Sequence, residues 1–302
     1  MSKRFGTVGI INVSLSTGTV PKQFKQAVVV PLLKKPALVT NDLKHFRPVL
    51  NRPFIPKLLE KIVLGQLQKH LSDNSLLEMH QSAYRKEHNT ETAVLNVLKC
   101  LLVKTNERLV SLIALLDLST AFDKLDHSIL LKRLEVTFGV RDAALEWFAS
   151  YLSDRCQLVI VDGIASAPSS QVYGVLQGSV LGPVLYTLYS KPLSDAISAH
   201  RCDFHKYSDD TELSQSAPLD EFCSVQTGIQ ICIEDVLSWI NGNKLMLSID
   251  KTEVMAVGTS SRLSRVDCTS ANIGGSNITF KTSVKYLGVK NDETRLSPCR
   301  TK

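Results

Sequence analysis

The most apolar stretch of the chain, Leu109-Val110-Ser111-Leu112-Ile113-Ala114-Leu115-Leu116, is of strand length and does not alternate, which predicts a strand buried on both faces and ending at Asp117. A β-branched run, Val28-Val29-Val30-Pro31-Leu32-Leu33, predicts another strand. Between them the period changes. Leu58, Leu59, Ile62, Val63, Leu67 and Leu71 recur at helical spacing behind Pro56, a residue suited to the first helical position, with Lys57, Glu60, Lys61, Gln68 and Lys69 on the surface. Asn89 and Thr90 mark the start of a second helix that runs to about Val103. Asp126 and Asp142 open two more, the latter with Leu145, Trp147, Phe148, Tyr151 and Leu152 on its apolar side. The spacing further predicts an apolar helix from Pro183 to about Ile197, and a long amphipathic one through Phe222, Val225, Ile229, Ile233, Val236, Leu237 and Ile240. Short strands fit 156–161 and 170–175 as a hairpin-like pair, then 204–206, 211–213, 245–247, 254–257, 278–280 and 284–287. Residues 1 to about 20 show no clear period and read as a leader, and residues 290–302 read as a tail. This alternation of strands and helices predicts an α+β sheet with helices packed on one face.

Composition narrows the class without naming it. The 302 residues are 44% hydrophobic and 21% charged, ordinary globular values, and the net charge of +6 suits a polyanionic partner. The 7 cysteines include no C-x-x-C pair and no zinc-like spacing with histidine, and read as reduced thiols of an intracellular protein. No apolar run is long enough to span a bilayer, and no basic cluster is long enough to serve as a nuclear signal.

Candidate chemistry lies in carboxylates. Tyr207-Ser208-Asp209-Asp210 falls at the tip of a tight hairpin, where adjacent aspartates stay solvated, shift in acidity, or take up cations. Asp117 adds a third carboxylate at the end of a buried strand, a place where a sheet opens to solvent. Three such groups in neighbouring strands would suit Mg²⁺, which takes oxygen ligands and keeps part of its water. The basic, aromatic-bearing loop Gln81-Ser82-Ala83-Tyr84-Arg85-Lys86 reads either as a phosphate contact or as a solvated connection.

Four runs in order carry a resemblance: Leu115-Leu116-Asp117-Leu118-Ser119-Thr120-Ala121-Phe122-Asp123, Gln177-Gly178-Ser179-Val180-Leu181-Gly182-Pro183, Tyr207-Ser208-Asp209-Asp210 and Asp250-Lys251-Thr252-Glu253. Together they resemble successive palm motifs of non-LTR (LINE-like, jockey-type) retrotransposon reverse transcriptases, over about Thr17 to Val289. The resemblance implies a right-hand-like polymerase with fingers over roughly 21–105 and palm over roughly 106–289, the thumb largely absent. It implies an RNA-directed DNA polymerase that works with an RNA template, a DNA primer and dNTPs, using two Mg²⁺ ions for which Mn²⁺ can substitute. Asp117, Asp209 and Asp210 resemble its catalytic and metal-binding carboxylates, with the Leu118 carbonyl as a further metal ligand. Arg47 resembles a residue that grips triphosphate, Phe122 an aromatic gate against a ribose 2′-hydroxyl, Gln177 and Gly178 a loop beside the incoming nucleotide, and Lys251 a lysine that meets the leaving pyrophosphate.

The chain also departs from the family. Leu176 stands where a proline is usual, Ser208 where alanine is more usual, and Leu50 and Arg52 where a small polar and an apolar residue are more common. A second reading follows from the departures and from the lack of thumb and endonuclease sequence: an inactive retroelement remnant with at most residual nucleic-acid binding.

Overall fold

The computed structural model describes residues 2–35, 41–42, 45–51, 53–85, 87–118, 121–176 and 178–292; the side chains of residues 2–5, 47, 48, 50, 51 and 290 are outside that description. Gln177, Arg52, Lys86 and the side chain of Arg47 therefore lie outside the described residues. The chain forms two compact units and passes back and forth between them: residues 1–77 and 122–189 make the first, residues 78–121 and 190–302 the second.

The first unit opens with α1 (Ser2–Ser16), followed by β1 (Gln26–Leu33), β2 (Phe46–Asn51) and α2 (Phe54–Asp73). After the excursion through α3 (Thr90–Asn106) and β3 (Val110–Asp117) of the second unit, it resumes with α4 (His127–Val136) and α5 (Asp142–Leu152). It ends with β4 (Arg155–Val161), β5 (Ile164–Ala165), β6 (Ser169–Gln171) and α6 (Gly182–Tyr189). Its sheet runs in the order β2-β1-β4-β5, with β6 also on β4. β1 lies antiparallel to β2 but parallel to β4, from Gln26 opposite Cys156 to Val29 opposite Val159. A parallel pair needs a long crossover, which here is everything between the two strands. The core is built from Leu59, Val63, Leu67 and Leu71 of α2, Leu130 and Leu134 of α4, and Trp147, Phe148, Tyr151 and Leu152 of α5.

Several local expectations change on this side of the molecule. Residues 2–16, read as part of a leader, form a helix whose Ile11 and Ser14 are buried, and the Trp147 indole donates to Ser14 Oγ at 3.1 Å. A helix held by a tertiary partner rather than by its own periodicity leaves no signal in the spacing of its residues. α2 opens at Phe54 with Pro53 as its cap, two residues before Pro56. The helix expected to reach Ile197 is two helices, α6 and then α7 (Lys191–Ser198), broken at Ser190, where Pro192 lacks the N–H that would continue the ladder. Glu60, placed on the surface by its spacing, is 2% exposed.

The second unit contains α3, β3, α7, β7 (Asp203–Tyr207), β8 (Asp210–Ala217), α8 (Phe222–Gly242) and β9 (Glu253–Val257). A short helix α9 (Ser260–Leu263) and two hairpins follow, β10 (Ser270–Ile273) with β11 (Ser276–Thr279) and β12 (Ser283–Tyr286) with β13 (Val289–Asp292). The main sheet is antiparallel throughout, in the order β7-β8-β3-β9. α3 starts with a capping box, Asn89 Oδ1 accepting from Thr92 N–H while Thr92 Oγ1 accepts from Asn89 N–H.

Helices cover both faces of this sheet, not one. Val94, Val97, Leu98 and Leu101 of α3 pack with Ile113, Met255, Val257, Val284 and Tyr286. Leu112, Ala114, Val254 and Leu213 point to the opposite face and are fully buried. There α8 passes so close that a Cβ on Gly228 would lie 2.5 Å from Gln215 Oε1, and Gln215 pairs with Leu112. A central strand without alternation requires cover on each side, which is the physical meaning of the apolar run at β3. Among the described residues no helix is long and apolar enough to cross a membrane.

Candidate active site

Strand β3 delivers Asp117 at its carboxyl end because the run of apolar residues before it pairs on both edges, with β8 and β9. The register sets Asp117 directly opposite Asp210. β7 and β8 are joined by a two-residue turn, Ser208-Asp209, since Tyr207 already pairs with Asp210. The turn is tighter than the tip expected from the sequence, and Asp210 is a strand residue. Ser208 has φ 59°, the left-handed first position of a primed hairpin turn. Asp117, Asp209 and Asp210 therefore gather at one end of one sheet, all half-buried.

Lys251 joins them from a short turn of helix before β9, its Nζ 2.9 Å from Asp117 Oδ1. The electrostatics are those of crowded carboxylates. Burial pushes the Asp210 carboxyl up to about 6, the charges of Asp209 and Asp117 add to the rise, and Lys251 opposes it. Asp209 is raised as well, mainly by burial, against hydrogen bonds from its own backbone and from Ser208. Groups that lose acidity through burial and mutual repulsion gain most when a cation neutralises them. All their donor atoms are hard oxygens, which fits a divalent ion of the Mg²⁺ kind. Among the described residues no three His, Cys, Asp or Glu side chains converge closely enough to hold an ion as they stand. Leu118 is buried and bridges to Leu247; the carbonyl that accepts from Ser248 N–H at 2.8 Å is that of Asp117. A cavity of about 230 Å³ opens beside the carboxylates, lined by Asp117, Asp210, Lys251, Glu253, Lys285 and Tyr286.

The remaining site residues named from the sequence belong to the first unit. Phe122 packs against Tyr186 with ring centroids 4.9 Å apart, and its carbonyl accepts from Val175 N–H at 2.8 Å. Gly178 stands at φ 82° in a turn closed by Ser179 N–H on the Leu176 carbonyl at 3.0 Å, a conformation that favours glycine. This turn closes with leucine at 176. Arg47 lies in β2 opposite Leu32.

Two supporting groups escaped the sequence reading. Glu60 accepts from Val180 N–H at 2.7 Å and from the Tyr151 hydroxyl at 3.2 Å, tying the loop after Gly178 to α2 and α5. Of the segment from Gln81 to Lys86, read as a phosphate contact or a solvated connection, Gln81 holds the Ser208 turn: its side-chain amide accepts from Ser208 N–H and donates to the Ser208 carbonyl. Neither carries a local signal, because each acts across more than ninety residues.

Comparison with known proteins agrees with this geometry. Residues 33–291 match the family model described as reverse transcriptase (RNA-dependent DNA polymerase). A probable RNA-directed DNA polymerase from transposon BS of Drosophila melanogaster is 27% identical over 290 residues, covering 94% of this chain and 31% of that protein. The RNA-directed DNA polymerase from mobile element jockey of the same species is 24% identical over 288 residues, covering 94% of this chain and 30% of its own length. The chain thus spans about a third of the length of the curated relatives it matches. Apo telomerase from Candida tropicalis shares the fold with a TM-score of 0.62 at 14% identity, over 94% of this chain and 56% of that one. Telomerase from Candida albicans, solved with a fragment of telomeric RNA, gives a TM-score of 0.55 at 13% identity, over 97% of this chain and 48% of that one. The ordered motifs, the antiparallel sheet that brings Asp117 opposite Asp210, and a family match over most of the length lead to one conclusion: the chain belongs to the reverse transcriptase (RNA-dependent DNA polymerase) family, with relatives in jockey-like retrotransposons.

Proposed function

We propose that this chain is the fingers and palm of an RNA-directed DNA polymerase, extending a DNA primer with dNTPs along an RNA template. The observation that carries the reading is the register of β3 and β8, which sets Asp117 opposite Asp210 beside the Asp209 turn. Members of this family usually use divalent metal ions, and Asp117, Asp209, Asp210 and the Leu118 carbonyl are the groups that would hold two Mg²⁺ ions here. Bound there, such ions would lower the cost of the attacking oxygen's charge and of the leaving pyrophosphate's charge.

The chain's own residues do the rest. The primer 3′-hydroxyl gives up its proton to water and forms a bond to the α-phosphorus of the dNTP as the bond to pyrophosphate breaks. Lys251, whose ammonium pairs with Asp117 and which lines the cavity, offers charge and a proton on Nζ to the departing pyrophosphate. Phe122 crowds a 2′-hydroxyl and so favours deoxynucleotides, and the turn at Gly178 lets backbone come close to the base pair. Arg47 supplies the planar cation suited to a triphosphate.

The test is primer extension on an RNA template with Mg²⁺ or Mn²⁺, beside the double variant Asp209→Ala, Asp210→Ala. Extension by the wild type and none by the variant is the expected result. A wild type that binds template and primer but never extends them refutes the polymerase reading and leaves nucleic-acid binding as the residual function.

A further inference from the structure

The catalytic hairpin is not held by its own strands alone. β7 is the edge of the second unit's sheet, and an unpaired edge is a mobile place to hang a catalytic turn. Here the edge is covered by residues 80–82, which run parallel to β7: Lys206 N–H donates to the His80 carbonyl at 2.8 Å, and Ser82 N–H to the Lys206 carbonyl at 3.0 Å. From this strip Gln81, 3% exposed, sends its side chain to the turn. Its Oε1 accepts from Ser208 N–H at 3.0 Å and from Ala83 N–H at 3.0 Å. Its Nε2 donates to the Ser208 carbonyl at 3.1 Å. One primary amide thereby satisfies both backbone groups of the residue that enters the turn. Tyr84 adds a hydroxyl contact to Ser208 Oγ at 2.8 Å.

We propose that Gln81 is a positioning residue for catalysis: its amide fixes the Ser208 peptide, and through it the direction in which Asp209 and Asp210 present their carboxylates. The inference rests on the polymerase reading for its kinetic consequence, but its structural core does not. Ser208 is the residue at φ 59°, a torsion that a serine adopts only when its surroundings impose it. The turn's strands would close the hairpin without Gln81; the left-handed residue at its first position is what the amide holds. No other side chain bonds to both peptide groups of Ser208 among the described residues.

Gln81→Met, close in size and apolar, is the informative variant. Hydrogen exchange on the full chain is the first readout. The segment 204–210 should exchange about tenfold faster than in the wild type, as expected for a lost hydrogen bond, while β3 keeps its protection. Primer extension is the second: kcat should fall roughly 100-fold with the KM for dNTP unchanged, because misplaced carboxylates affect the reacting geometry rather than nucleotide capture. Gln81→Glu keeps the acceptor for Ser208 N–H and Ala83 N–H but sets a carboxylate oxygen against the Ser208 carbonyl, so its 204–210 segment should also exchange faster than in the wild type; it decides the question if Gln81→Met does not fold. Unchanged exchange over 204–210, or a raised KM with normal kcat, overturns the positioning role. A wild type without extension activity defeats the polymerase reading, and the exchange measurement still judges the clamp.

Discussion

Replacing Glu60 by alanine should unfold much of the first unit's margin of stability. The carboxylate is buried in α2, and its two oxygens accept from Val180 N–H at 2.7 Å and from the Tyr151 hydroxyl at 3.2 Å. A hydrogen bond to a charged acceptor is worth about 1.5–3 kcal/mol, and a buried donor left without its acceptor loses a comparable amount. Losing both partners together should therefore cost about 3–5 kcal/mol, a large share of the roughly 5–15 kcal/mol by which folded chains are stable. Glu60→Gln keeps one acceptor oxygen and turns a donor toward the other partner, so about half the loss is expected. Urea unfolding followed by tryptophan fluorescence measures this, because Trp147 stacks on Tyr151 with centroids 5.3 Å apart. At an m-value of about 2 kcal/mol/M the alanine variant's midpoint should fall by about 2 M. An alanine variant within about 1 kcal/mol of wild type, or a glutamine variant as weak as the alanine one, would show that the carboxylate does not anchor the loop.

Two further outcomes follow from the same kind of reasoning. His205 is held between Ser82 Oγ at 2.8 Å and the Tyr286 hydroxyl at 2.9 Å, and burial pushes its imidazole down to about 4 from 6.5. The unfolded chain then binds the proton first, so this contribution is fully present above pH 6.5 and is lost as pH falls toward 4; between pH 7 and 4.5 the wild type should lose roughly 2–3 kcal/mol more than His205→Gln, measured by urea unfolding at each pH. Glu212, paired with His205 on the adjoining strand and raised by burial to about 8, gains stability as pH falls in both proteins, so the imidazole is judged by the comparison and not by the wild type alone. Equal acid sensitivity in both proteins would refute the assignment. At Gly174, φ is 77° and a Cβ would lie 2.7 Å from the Asp123 carbonyl oxygen, so Gly174→Ala should cost at least about 2 kcal/mol, and a thermal midpoint within a degree of wild type would contradict the close approach.

Much of the site was legible in the sequence because its parts are local. An unbroken apolar run states that β3 is buried on both sides, and the residue that ends it, Asp117, is read from order alone. A short connection between two strands implies a hairpin whatever the rest of the chain does, so the aspartates of the turn were also placed. The capping of α3 by Asn89 and of α4 by Asp126 needs only four consecutive residues, and both stand as expected. The roles proposed for these residues come from the ordered set of motifs and not from any one position.

What the tertiary structure alone decided involves partners far along the chain. Register, not spacing, sets Asp117 opposite Asp210, and only the paired strands could show that Asp210 is a strand residue while Asp209 sits in the turn. The surface pattern of α2 hides Glu60, because a charged residue at a polar-looking position is buried when a distant N–H and hydroxyl converge on it. Gln81 reads as one polar residue in a loop until the edge of β7 arrives beside it. Periodicity records which face of an element is apolar; which distant polar groups that face or its neighbours meet depends on the packing of the whole chain, and hydrogen bonds of that kind leave no trace in the order of residues.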